Sequence, residues 1–128
     1  MMPDDLPVNL PHVLQAVEQV FRMYEQAFLN NDLSVLDQLF WHSPHVVRLG
    51  MTETLYGIEA IRQFRQNRDA QNIARVLYNT RITTFGDDFA VTVTEFERIG
   101  EAGGRQTQTW VRFAVGWRIV AAHISKSP

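Results

Sequence analysis

The chain contains no cysteine, which excludes disulfides, thiolate zinc sites and a cysteine nucleophile together. Lysine is nearly as scarce. Of twelve basic residues eleven are arginine and one, Lys126, is lysine; arginine suits bidentate recognition of carboxylates, although genomic composition also produces such a bias. No apolar run approaches the roughly 18 residues of a membrane span, and residues 1–11 lack the basic and apolar blocks of a signal peptide. The expectation is a cytoplasmic protein with no membrane partner. A net charge of -2 and a pI near 6.0 leave no electrostatic footprint for nucleic acid. There is neither a Gly-x-Ser-x-Gly elbow nor a phosphate-binding glycine loop, which disfavours serine-hydrolase and nucleotide chemistry. His12, His42 and His45 are not spaced as a metal site and the acidic residues form no ligand cluster, so no metal and no cofactor is expected.

What is present fits one globular domain over 1–128, with 45% hydrophobic and 20% charged residues. Residues 1–10 read as an irregular arm and Pro11 as the first turn of a helix. Over 12–30, Val13, Val17, Val20, Ala27 and Phe28 recur at helical spacing, widened by Leu14 and Phe21. Tyr24 falls near the centre of that stripe, so its ring should face the core and its hydroxyl must find a partner or a pocket. Asn30-Asn31-Asp32 predicts a break and an N-cap for a short helix over 33–40. Short strands are expected over 45–49 and 52–56, joined through Gly50. A third helix follows over 58–68, with Ile58, Ile61 and Phe64 inward and Arg62, Arg65 and Arg68 solvated. The period then becomes two, predicting strands over 75–85, 89–99, 105–113 and 117–125. The order implies an α+β fold, three N-terminal helices packed on a curved antiparallel sheet, with a cone-shaped cavity between the layers.

One stretch stands out. His45-Val46-Val47-Arg48-Leu49-Gly50 carries an arginine within an apolar strand, and burying an unpaired guanidinium is costly. Arg48 therefore either points to solvent or waits for an anion. Alternation places it with Val46 on one face and His45, Val47 and Leu49 on the other, without saying which face is inward. Further along, Gln108, Trp110 and Arg112 share a strand face, offering a ligand an amide, a flat platform and a second guanidinium; a ladder on the outer face or a subunit interface explains them equally. His123, on the face of Trp117, Ile119 and Ala121, is either a general acid or base or a structural histidine.

The Asn-Asn-Asp break and the terminal Gly-Trp-Arg-Ile-Val-Ala-Ala-His-Ile-Ser resemble the cone-shaped α+β superfamily of nuclear transport factor 2, ketosteroid isomerase and SnoaL-like proteins. Three further stretches narrow this: Phe-Trp-His-Ser-Pro-His-Val-Val-Arg-Leu-Gly, Glu-Thr-Leu-Tyr-Gly and Gly-Arg-Gln-Thr-Gln-Thr-Trp-Val-Arg-Phe are similar to the AtzH and HpxZ group, and the similarity spans essentially the whole chain. The resemblance implies conversion of 1,3-dicarboxyurea to allophanate in bacterial cyanuric acid catabolism, with Tyr24 and Arg48 as the catalytic pair. An HpxZ-type role on oxalurate or a related ureido acid in purine catabolism is the alternative. A non-catalytic ligand-binding or assembly module, using Trp110, Trp117 and strand valines as an interface, is the third reading. The expected partner is a small anionic ureido acid, and self-association as a homodimer or higher homo-oligomer is expected in each case.

Overall fold

The computed structural model describes residues 5–69 and 74–128. Helix α1, Pro11–Leu29, opens on its proline and buries Val13, Val17, Phe21, Tyr24, Ala27 and Phe28, the stripe that the 3.6-residue period demands. It ends in a Schellman turn: Asn31 takes a positive φ of 50°, its N–H donates to the Phe28 carbonyl at 3.1 Å, and the Asp32 N–H donates to Ala27 at 2.8 Å. Asp32 then caps α2, Leu33–Leu39, accepting the Val35 N–H at 3.2 Å. One Asn-Asn-Asp run thus stops one helix and starts the next. Because a β-branched side chain strains a left-handed backbone, Asn31→Val should lower the unfolding free energy by about 1–2 kcal/mol. Asn31→Gly should keep most of it; urea denaturation of both variants checks this.

The hairpin β1, Val47–Leu49, and β2, Thr54–Tyr56, precedes α3, Ile58–Asn67. Four long strands follow: β3, Val76–Phe85; β4, Phe89–Arg98; β5, Glu101–Phe113; and β6, Gly116–Lys126. The sheet order is β2-β1-β6-β5-β4-β3. The expected antiparallel sheet requires one correction. β1 runs parallel to β6, with Arg48 opposite Ala122, so the sheet is mixed. The parallel pair is possible because α3 and four strands intervene between its members, which gives the chain room to return in the same direction. Of the arm expected over 1–10, residues 1–4 lie outside the described residues. Residues 7–9 line the edge of β3: Val8 bridges Phe85 and Asn9 exchanges bonds with Thr84 at 2.8 and 3.1 Å.

The inner face of the sheet is set by alternation, with Ala90, Thr92, Thr94 and Phe96 of β4 and Gln106, Gln108 and Trp110 of β5 buried. Three irregularities in pairing, at Tyr78/Arg81, Phe96/Arg98 and Thr109/Trp110, bend the ladder. In the last, Thr109 pairs with Ala121 and Trp110 with Ile119, so Val120 is an extra residue on β6. Parity flips across it. Trp117 and Ile119 face inward before the bulge, Ala122 and Ile124 after it. The helices cover this face, and one core runs through Val17, Tyr24, Leu36, Phe40, Ile61, Trp110 and Ile119. Among the described residues no helix is long and apolar enough to cross a membrane.

Candidate active site

Between α1, α3, the β1–β2 hairpin and the inner face of the sheet lies a cavity of about 250 Å³, lined by Tyr24, Phe28, Arg48, Glu53, Phe64, Arg68, Arg75, Arg98 and Gln106 among others. Arg48 faces inward. Val46 and Arg48 are buried, at 0% and 6% exposure, while His45 is exposed, which settles the question that alternation left open. The arginine does not stand alone: Nη1 donates to Glu53 Oε1 at 2.6 Å, and its guanidinium lies 5.0 Å from the Phe64 ring centroid. Glu53 reaches it across the short hairpin loop, in space left free by Gly50, where a side chain would collide with that carboxylate. Burial pushes the Glu53 carboxyl up, but hydrogen bonds from Thr52 and Arg48, with the Arg48 charge, outweigh this and hold it below the usual carboxylate value.

Tyr24 is 2% exposed. Its ring is held by Phe28 and Phe40, with centroids 6.3 and 6.2 Å away. Among the described residues its hydroxyl meets neither a backbone carbonyl nor a carboxylate but a guanidinium: Arg65 Nη2 donates to it at 3.4 Å. Burial raises the Tyr24 pKa, yet the charges of Arg65, Arg48 and Arg75 together overcome that and bring it down to about 8. A phenol in that range can exchange a proton near neutral pH.

Arg75 is buried at the base of β3. It grips Glu25 bidentately, with Nε and Nη2 at 3.0 and 2.6 Å from the two carboxylate oxygens, and Nη2 also donates to Gln106 Oε1 at 3.0 Å. Arg68 donates to Asn31 Oδ1 at 3.4 Å and lies over Phe28. Burial, followed by the Arg65 charge, lowers its pKa to about 10, which leaves it cationic at neutral pH. Arg98 approaches Glu101 at 3.7 Å. Arg48, Arg68, Arg75 and Arg98 line the cavity and Arg65 stands behind it against Tyr24, with the carboxylates of Glu25, Glu53 and Glu101 as partners in the group. Among the described residues this group holds two more positive charges than negative ones. Such an excess of positive charge favours an anion entering the cavity, since like charges in a poorly solvated space repel one another. Among the described residues no three His, Asp or Glu side chains come together as metal ligands.

The sequence-predicted residues divide sharply. Tyr24 and Arg48, from α1 and β1, line the same cavity. Gln108 and Trp110 share the inner face as alternation requires, but they are sealed in the core behind it: Trp110 Nε1 donates to Thr92 Oγ1 at 3.0 Å, which donates to Gln108 Oε1 at 3.2 Å. Trp110 and Trp117 are both buried within the chain, so neither supplies an exposed assembly surface. Arg112 lies away from the cavity, half exposed, clasping the β3–β4 turn through Asp88 Oδ1 at 2.6 Å and the Asp87 carbonyl at 3.2 Å. His123 sits on the outer face beside Thr107 and Arg105, because the Val120 bulge reverses the parity that grouped it with Trp117 and Ile119.

Two of the three arginines expected in solvent are also reassigned. Arg62 is partly exposed and paired with Asp37 and Glu59. Arg65 is buried and Arg68 lines the cavity. The signal was present in the spacing. Arg65 stands four residues after Ile61 and seven after Ile58, on the buried stripe of α3, where helical period and residue type point in opposite directions. Glu53 had a signal as well, an acid five residues from Arg48 across a glycine turn. Gln106 occupies the same alternating face as Gln108 and Trp110, one step nearer the cavity.

Comparison with known proteins agrees with this architecture. The AtzH-like family profile matches residues 6–128. A protein of unknown function from Pectobacterium atrosepticum is 53% identical, covering 100% of this chain and 99% of its own, with a TM-score of 0.94. A cystatin-like fold protein from Burkholderia xenovorans is 43% identical over 96% of this chain and 99% of its own, with a TM-score of 0.91. A nuclear transport factor 2-like superfamily protein from Salmonella enterica shares the fold at 23% identity, covering 91% and 92% of the two chains, with a TM-score of 0.75. A search of curated proteins finds no match. With its three helices laid on one mixed, curved sheet and a profile match spanning nearly its full length, the chain belongs to the AtzH-like family.

Proposed function

We propose that this protein removes one carboxyl group from 1,3-dicarboxyurea to give allophanate, with Tyr24 and Arg48 as the catalytic pair. The observation that carries this reading is their convergence. The two residues implicated by the family resemblance arise from different elements and line one arginine-rich cavity. The substrate is a flat dianion with a carbamate at each end, and the excess of positive charge around the cavity suits it.

The roles follow from chemistry. Arg48 holds one carboxylate and orients the scissile C–N bond. As that bond breaks, its electron pair stays on the ureido nitrogen, and Tyr24 supplies the proton. The O–H bond of Tyr24 breaks, an N–H bond forms, and the resulting phenolate recovers a proton from water. The released carboxyl group leaves as carbon dioxide in a decarboxylative route or as bicarbonate if water adds first; the proton donated by Tyr24 serves both.

Purified protein supplied with dicarboxyurea, either directly or from an upstream amidase, should form allophanate, detected by chromatography coupled to mass spectrometry. Oxalurate makes the same physical demand, a planar urea with a carboxylate, but carries one charge where dicarboxyurea carries two. Turnover of oxalurate and not of dicarboxyurea, measured side by side, would overturn the substrate assignment.

A further inference from the structure

Arg65 is a buried cation with little compensation among the described residues. It is 4% exposed, its Nε and Nη1 have no hydrogen-bond partner, and among the described residues it forms no ion pair. The other guanidiniums around the cavity each reach a side-chain oxygen: Arg48 that of Glu53, Arg75 that of Glu25, Arg98 that of Glu101, and Arg68 that of Asn31. Arg65 reaches a phenol, through Nη2 and the Tyr24 hydroxyl at 3.4 Å. Its remaining neighbours are aromatic faces, with the guanidinium carbon 5.2 Å from the Phe40 centroid and 5.9 Å from that of Tyr24. Such contacts offset only part of what a buried, unpaired cation costs. An arrangement this unfavourable for stability makes sense where the charge has a task, and the group beside it that can become an anion is Tyr24.

We infer that Arg65 is the positioning residue for Tyr24, holding its hydroxyl oxygen in place from α3 and serving as the counter-ion of its phenolate. The inference rests on the reading of Tyr24 as proton donor and deepens it. When the O–H bond breaks, the electron pair left on oxygen faces a guanidinium already in position, and the long neutral contact becomes a charge-assisted one. Arg48 is then free to hold substrate, and the two arginines divide the work. Burial lowers the pKa of Arg65 and the Tyr24 charge raises it, as expected of two groups that stabilise each other in the ionised form.

The test is ultraviolet difference titration of the phenolate in the protein without substrate, for wild type, Tyr24→Phe, Arg65→Met and Arg65→Lys. Wild type should show a transition near pH 8 that Tyr24→Phe abolishes, assigning it among the three tyrosines. Arg65→Met should move it upward by about one pH unit or more without lowering Tm, because an apolar side chain of similar size replaces an uncompensated charge. Arg65→Lys should keep the transition closer to the wild-type position. Turnover in Arg65→Met should fall about 10- to 100-fold in kcat with KM little changed. If Arg65→Met does not fold, Arg65→Gln supplies the neutral comparison. A transition that stays in place when the charge is removed overturns the inference. Because the titration needs no substrate, a negative dicarboxyurea assay leaves it standing, and an unmoved transition leaves the proposed reaction standing.

Discussion

A Tyr24→Phe variant should fold normally by circular dichroism and lose roughly 100- to 10,000-fold in turnover of dicarboxyurea, the range of a positioned general acid. The substitution removes a single oxygen. The ring stays wedged between Phe28 and Phe40, so packing is conserved and the loss isolates the proton. The pH profile provides a second check. Tyr24 must be protonated to donate, and its pKa lies at about 8. The kcat/KM of the wild type should therefore hold through neutrality and fall above about pH 8, since this parameter reports the free enzyme. The alkaline limb of kcat should lie higher, because a bound dianion disfavours the phenolate.

Stability should move in the opposite direction. The folded pKa of Tyr24 is depressed from 10.0 to about 8, so folding favours the ionised form. The linked contribution is absent below about pH 8 and accumulates as pH rises toward the unfolded value, reaching about 2–3 kcal/mol. Wild type should lose activity over the same interval in which it gains this term, and Tyr24→Phe should show neither change.

Arg48→Ala should lower kcat/KM by about 2–5 kcal/mol, on the order of 30- to several-thousand-fold, the usual consequence of truncating one member of a buried charged contact with ligand. Its effect on Tm should be much smaller, for two reasons. Glu53 sits on the hairpin loop at 17% side-chain exposure and can turn to water once its partner is gone. The cluster also loses one of five mutually repelling guanidiniums. In the free protein Glu53 occupies Arg48 much as a substrate carboxylate would, so with Arg48 in its proposed role binding would exchange one carboxylate for another. Glu53→Gln should accordingly bind a small dicarboxylate such as malonate more tightly than wild type, and Arg48→Ala more weakly, in parallel calorimetric titrations. Wild-type malonate affinity in Arg48→Ala would remove Arg48 from the site.

Much of this molecule follows from patterns a few residues long. The buried stripe of α1, with Tyr24 on it, requires only the helical period, and Asn30-Asn31-Asp32 carries its own helix stop and start in a left-handed asparagine and a capping aspartate. The segregated α+β order and the grouping of side chains on each face of β4 and β5 are equally local, since one helical repeat or one pleat decides which side chains lie together. The inward direction of Arg48 is not local. It depends on β1 lying parallel to β6 with Ala122 opposite, a pairing between segments more than seventy positions apart. His123 lies on the face opposite to the one alternation implies because one extra residue, Val120, reverses the parity of the strand, and bulges have no dependable signature in a single sequence. Arg65 shows a third kind of boundary. Its spacing on α3 pointed inward, but a cation in the core becomes credible only when an anion, or a group able to become one, is known to stand beside it. Periodicity ranks faces within an element. Which faces meet, and which charges compensate one another across the space between them, depends on contacts distant in the chain, and at this site those contacts set the chemistry.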